Sequence, residues 1–402
     1  MTANREQLTE LVQQQRSMYF QSDKAVGLGV GAVVADVQAM VFGGKLCAAQ
    51  PEPDENTVFE IGSITKVFTT MLLADMHLAG ELQLDDPVNK YLPTHGRILC
   101  RGGDDVTLRH LAIHTSGLPR LPANLTGQQL GSDNPYANYS ADDLYACLAS
   151  CRLKNRPGTN SRYSNLGSGL LGHLLSLIGG GNYERLVLHR LLLPLRMNDT
   201  SIRLSEEQQR RLAPGHAEGK IVHNWDFQAL AAAGAFRSTV ADMLKFLRAN
   251  IDPASTALSR TIELTHELQT RHTWRWYCDI GCMGPILLGS LGGVLAWRSF
   301  GLPLWLRIAI PIAAPAAMLM LLLSGFVPSR EDMALGWHFD RLDQDDADAS
   351  QWALWHNGGT AGYASYLAFS RKHRCGVILL ANSDCEPDPT GRKLLLDLLK
   401  AP

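Results

Sequence analysis

Residues 57–76 read TVFEIGSITKVFTTMLLADM, and within them Ser63 stands three positions before Lys66. The segment reads as a helix from Ser63 to near Gly80. Positions i and i+3 share a helix face, so the Lys66 amine stands over the Ser63 hydroxyl. Serine is a weak nucleophile until a base takes its proton. A lysine desolvated by Val67, Phe68, Met71 and Leu72 loses preference for its charged form and becomes a base near neutral pH. Ser63 also lies at the helix start, where free N–H groups and the dipole favour developing negative charge. Alone, S-x-x-K is a short pattern. An N-cap serine followed by a snorkelling lysine explains it as simply.

Two distant stretches change that balance. SRYSNLGSG (161–169) places Tyr163 and Asn165 just before a helical run. A tyrosine hydroxyl relays a proton and an asparagine amide hydrogen-bonds a substrate amide. LWHNGGTAGYASYLAF (354–369) places His356, Asn357, Gly358 and Gly359 at the entry to a strand. Paired glycines admit close backbone approach, and an edge strand supplies an N–H to an oxyanion.

With these three motifs in this order, the chain resembles the penicillin-recognising serine hydrolases. These include class C β-lactamases, D-alanyl-D-alanine carboxypeptidases, D-aminopeptidases and related esterases. The flanks FEIGSITK, TLRHLAIHTSGLP, PLRMNDT and VILLANS carry the resemblance further, over roughly residues 25–260 and 330–385. It implies an α/β (α+β) β-lactamase/transpeptidase-like fold: an antiparallel sheet from both chain ends, flanked by helices, plus a helical subdomain. It implies that Ser63 forms an acyl-enzyme, that Lys66 and Tyr163 share the proton work, and that Asn165 orients the substrate amide. The N–H groups of Ser63 and Gly359 would form the oxyanion hole, with His356, Asn357 and Gly358 beside them on the substrate-binding strand. His356 stands where class C β-lactamases carry a lysine, and histidine is only partly charged at pH 7. The Y-S-N and H-x-G variants resemble the peptidase and esterase branches more than the antibiotic-destroying ones. The implied substrate is a small amide, ester, D-amino-acid peptide or β-lactam, with no metal or cofactor. The rival reading is a catalytically silent, membrane-associated binding or scaffolding protein.

The remaining sequence bounds these expectations. At 402 residues and 46% hydrophobic composition, the chain supplies one large domain or two ordinary ones. A net charge of −2 without a basic run leaves no nucleic-acid footprint. The eight cysteines (47, 100, 147, 151, 278, 282, 375, 385) form no C-x-x-C pair and read as ordinary thiols. Gly27, Gly29 and Ala32 match G-x-G-x-x-A, but the residues that follow are strand-like rather than helical, which disfavours a dinucleotide site. No G-x-S-x-G or H-E-x-x-H motif occurs, and His114 is read as structuring the turn after its helix. A first helix is expected in the opening 20 residues, then a hairpin. Helices follow over 107–119, 140–153, 167–181, 183–195 and 238–250. Strands return in MALGWHF, YASYLAFS and CGVILLANS before a last helix.

Between these parts, 280–297 and 308–327 hold no charged side chain and reach the length of a membrane span. Ser63 and Tyr163 precede them and His356 follows, so a shared site demands an even number of crossings. The expected arrangement is a discontinuous catalytic domain (1–270 and 329–402) with a transmembrane hairpin in 271–328 contacting the lipid bilayer. The polar N-terminus lacks an apolar signal core, so the catalytic domain is expected on the cytoplasmic side.

Overall fold

The structure is a computed structural model that describes residues 4–47, 51–99, 105–125, 134–269, 332–341 and 352–400. The chain divides into one unit of Met1–Gln269 with Met333–Pro402 and a second of Thr270–Asp332. The first unit is described below.

Among the described residues ten strands occur, in chain order: β1 (Gly27–Val34), β2 (Val37–Gly44), β3 (Phe59–Glu60), β4 (Gly215–Ala217), β5 (Lys220–Val222), β6 (Arg237–Ser238), β7 (His338–Arg341), β8 (Trp352–Gly359), β9 (Ala364–Ser370) and β10 (Cys375–Ala381). Six of them form one sheet in the order β2-β1-β10-β9-β8-β7, antiparallel at every pairing. The two chain ends therefore meet at its centre, with Val30 opposite Leu379.

Both faces of this sheet are covered. Val377 and Leu379 share one buried cluster with Val12 of the Arg5–Tyr19 helix and Leu394 of the Asp388–Lys400 helix. Ile378 and Leu380 face the other way, into a core with Phe68 of the Thr65–Leu78 helix and Phe246 of the Val240–Ile251 helix. Side chains alternate across a strand, so a strand buried on both faces is apolar at every position, as CGVILLA is.

Gly29 of the G-x-G-x-x-A match and its neighbour Gly31, which lies outside the pattern's fixed positions, sit inside β1 and have a packing role. A Cβ on Gly29 would meet Val240 at 2.7 Å, and one on Gly31 would meet Leu244 at 2.8 Å. Their absence of side chains lets the Val240–Ile251 helix lie directly on the sheet.

Several elements are shorter than the sequence pattern predicts, and in two of them a residue at positive φ sets the end. The 107–119 stretch is helical only over Leu108–Ala112, begun by a Thr107/His110 capping box. It ends where His114 takes φ 59°. In MALGWHF, Gly336 at φ 75° makes a turn, so only the end of the segment is strand. Met333 accepts a hydrogen bond from the Gln269 N–H at 2.9 Å, which brings the two borders of the second unit side by side.

No helix among the described residues is long and apolar enough to cross a membrane. The runs 280–297 and 308–327, on which the bilayer expectation rests, lie outside the described residues.

Candidate active site

The nucleophile turn joins β3 to the Thr65–Leu78 helix. Gly62, at φ 49°, opens a 3-10 turn over Gly62–Ile64, so Ser63 precedes the regular helix rather than beginning it. Ser63 is half-buried. Lys66, in the first helical turn, is 2% exposed. Its Nζ lies 2.8 Å from Ser63 Oγ and donates to the Ala233 carbonyl at 2.6 Å. No carboxylate pairs with it among the described residues. Burial, helped by the nearby Arg120 charge, therefore holds this amine well below the ordinary lysine pKa.

Tyr163 approaches the same pair, with Lys66 Nζ 4.7 Å from its ring centroid. Burial pushes its phenol up to about 12, offset in part by a hydrogen bond with Ser63 and by the Arg120 charge. One group is thus tuned towards a free lone pair and the other towards keeping its proton.

The segment around Tyr163 is stitched in place by its neighbours. Ser164 Oγ accepts from the Gly167 N–H at 2.9 Å, capping the Asn165–Ile178 helix, and donates to the Pro119 carbonyl at 2.6 Å. The Ser164 N–H donates to His114 Nδ1 at 3.3 Å, and the His114 ring lies 4.6 Å from that of Tyr163. His114 is thus the turn-former expected from the sequence, and it also orients the Tyr163 segment. The Asn165 amide nitrogen points to the Tyr136 hydroxyl at 3.5 Å, while its Oδ1 is buried with no partner among the described residues.

β8 closes the far side. A Cβ on Gly358 would lie 2.1 Å from the Ile61 carbonyl and 2.9 Å from Ser63 N, so the strand runs against the nucleophile turn. The Thr360 N–H bonds the Tyr363 carbonyl across to the β9 side. Neighbouring residues of an antiparallel strand turn their N–H groups to opposite sides, so that of Gly359 faces away from β9. β7 pairs with Trp352–Trp355 and stops before His356, which leaves this length of β8 open to the site.

Two sequence expectations for this strand are corrected. His356 is fully buried. Burial above all holds it well below the ordinary histidine pKa, which favours the neutral ring over a partial positive charge. Its Nδ1 lies 2.5 Å from the Asn357 carbonyl. In the neutral ring that nitrogen carries the proton, which leaves Nε2, unpartnered among the described residues, as an acceptor. Asn357, expected on the substrate-binding strand, turns to the opposite face by the two-residue alternation. Its Nδ2 donates to Asp388 Oδ2 at 2.6 Å, tying β8 to the last helix.

The structure also brings in residues that the motifs did not mark. The Arg120 guanidinium lies 5.2 Å from the Tyr163 ring centroid. Tyr136 stacks on Phe227 at 4.8 Å and meets Trp225 edge-on at 5.3 Å, making an aromatic wall beside Asn165. Ala233 contributes only a carbonyl, for which a side-chain pattern carries no signal.

A family model described as Beta-lactamase matches residues 13–280. The chain belongs to the beta-lactamase family. It is 25% identical to a beta-lactamase of Escherichia coli (strain K12) over 386 residues, covering 96% of this chain and 91% of that protein. It is 30% identical to an Escherichia coli D-alanyl-D-alanine-carboxypeptidase/endopeptidase over 224 residues, 55% of this chain and 56% of that one. A beta-lactamase/D-alanine carboxypeptidase from Yersinia pestis shares the fold, with a TM-score of 0.74 and 21% identity over 99% of this chain and all of that one. As a beta-lactamase-family protein the chain is a serine hydrolase, and neither the site nor its relatives favour a silent scaffold.

Proposed function

We propose that this hydrolase acts on small acyl compounds through an acyl-enzyme on Ser63. The neutral Lys66 amine takes the Oγ proton as Oγ attacks the substrate carbonyl carbon. The N–H groups of Ser63 and Gly359 receive the resulting oxyanion. Tyr163 hands its proton to the leaving nitrogen or oxygen as the carbonyl bond to that atom breaks, and Lys66 returns a proton to the phenolate. A water then attacks the ester and passes its proton through the same pair, and Ser63 Oγ leaves reprotonated. Asn165, whose Oδ1 has no partner among the described residues, orients the substrate amide, and the Tyr136–Phe227–Trp225 wall suits an apolar acyl group. Small amides, esters, D-amino-acid peptides and β-lactams fit this scheme, the relatives' names supporting the last two.

The observation that carries the reading is the buried lysine amine 2.8 Å from the serine hydroxyl. A fluorophosphonate is expected to label the protein at Ser63, and Ser63→Ala to abolish the labelling. Labelling that persists in Ser63→Ala sinks the assignment.

We further propose that residues 271–328 form a membrane hairpin, which leaves the catalytic unit on one side of the bilayer, the cytoplasmic one. The support is hydropathy alone: two charge-free runs of 18 and 20 residues. Retention of the full chain in membranes through carbonate washing supports it, and complete extraction ends it.

A further inference from the structure

We infer that Thr69 and Tyr183 are positioning residues of the reaction: through one buried hydrogen-bond chain they hold the turn whose carbonyl aims the Lys66 amine at Ser63. The inference rests on the hydrolase reading above and adds the parts that set its base.

The Lys66 amine donates to the Ala233 carbonyl at 2.6 Å and lies 2.8 Å from Ser63 Oγ. A general base acts only when its lone pair faces the proton it takes. A neutral amine turns its lone pair according to where its N–H groups are bonded. The Ala233 carbonyl therefore decides whether that lone pair meets Ser63. This carbonyl belongs to the 3-10 turn Ala231–Ala233, whose alanine side chains have no polar atom with which to hold it.

The turn is held from outside, in two ways. Thr69 and Tyr183 are buried, with their hydroxyls 2.7 Å apart. Thr69 Oγ1 lies 2.9 Å from the Ala232 carbonyl and 3.1 Å from the Thr65 carbonyl. A carbonyl only accepts, so Thr69 gives its proton there and receives that of Tyr183. Thr69 stands one turn after Lys66 on the Thr65–Leu78 helix, so the two side chains leave one face. They grip neighbouring peptides of the turn, Lys66 that of Ala233 and Thr69 that of Ala232. The second hold is packing. A Cβ on Gly172 would lie 2.0 Å from the Ala232 Cβ, so the Asn165–Ile178 helix rests directly on the turn. A carbonyl bonds an ammonium more strongly than an amine, so displacing this one lowers the Lys66 pKa further as it misaims the lone pair. Around Lys66 stand Ser63, Tyr163, Arg120, His114 and His356, and the variants below alter none of them.

The experiment follows acylation of the full chain by p-nitrophenyl acetate in single turnovers across pH, beside thermal unfolding. Thr69→Val keeps the shape and removes the hydroxyl. It is expected to slow acylation on the order of tenfold at the plateau, with apparent substrate affinity within about twofold. It should also move the rising limb of the pH profile to lower pH. Thr69→Ser, which keeps the hydroxyl, should recover most of the rate. Tyr183→Phe should act more weakly in the same direction, and added to Thr69→Val it should bring no further loss, because it acts only through Thr69. Gly172→Ala displaces the turn without touching a hydroxyl and should move the limb the same way. An unmoved limb in Thr69→Val overturns the inference. So does a Thr69→Ser as slow as Thr69→Val, which assigns the loss to packing. If Thr69→Val does not fold, Tyr183→Phe and Gly172→Ala decide, and limbs that stay with the wild type overturn the inference. A wild type labelled at Ser63 by fluorophosphonate, with every limb unmoved, leaves the hydrolase reading standing and ends the positioning role. If fluorophosphonate fails to label wild-type Ser63, the hydrolase reading fails first and the positioning role with it.

Discussion

Replacing Lys66 by methionine removes the acceptor of the Ser63 proton, and replacing Tyr163 by phenylalanine removes the donor to the leaving group. Each change is expected to slow acylation by on the order of 10²–10⁴-fold in single-turnover measurements. The two act as one proton-transfer unit, so the double variant should be little worse than the poorer single one; losses that multiply would show independent action. The pH profile follows from the same tuning. Only unprotonated Lys66 accepts a proton, so kcat/KM for a neutral ester rises with pH through a lysine pKa lying below the ordinary value. It then holds until Tyr163 ionises near 12. His356, already neutral, adds no inflection near the ordinary histidine pKa. A plateau that collapses well below the tyrosine range would refute the assignment of Tyr163 as the proton donor.

At the scale of elements, the site depends on how closely β8 approaches the nucleophile turn, and two adjacent glycines separate the possibilities. A Cβ on Gly358 would clash with the Ile61 carbonyl at 2.1 Å and Ser365 Oγ at 2.5 Å, whereas one on Gly359 would find only the Tyr363 carbonyl, at 3.9 Å. Gly358→Ala is therefore expected to push the strand off the turn and cut acylation by on the order of 100-fold or more, the scale for losing an oxyanion donor. Gly359→Ala should keep most of the activity. Circular dichroism on both variants separates a displaced strand from a lost fold. Similar activity in the two would show that β8 does not seat against Ser63. The strand's other face is used differently: Asn357 reaches Asp388, so the last helix braces the same strand from behind.

For the whole molecule, the long segment between Gln269 and Met333 interrupts a unit whose chain ends already pair in one sheet. The borders are joined by a hydrogen bond of 2.9 Å, so a few residues are enough to close the gap. Replacing 270–331 by a short Gly/Ser linker is expected to leave a folded protein that still labels at Ser63. The loop-closure cost grows only slowly with length and offers no reason for the unit to need the insertion. Loss of labelling, or a melting temperature lowered by ten degrees or more, would show that the segment supports the catalytic unit.

Much of this was legible in the residues alone. The S-x-x-K spacing placed a lysine over a serine, and the apolar residues around Lys66 announced its desolvation. The period-two runs near both termini predicted one antiparallel sheet, because side-chain alternation and burial are properties of short segments. Tertiary structure decided the rest. Whether His356 carries charge depends on burial beneath its neighbours, and whether Asn357 meets substrate depends on which face of β8 turns towards Ser63. That Gly29 serves helix packing, and not a phosphate, is visible only once the Val240–Ile251 helix lies on the sheet. Arg120 and Tyr136 occupy a stretch whose composition marks it as a loop, and a loop takes its position from what it is bonded to. The Ser164–Pro119 and Asn165–Arg120 hydrogen bonds bring that cation to Tyr163, joining residues more than forty positions apart by contacts that no local pattern encodes.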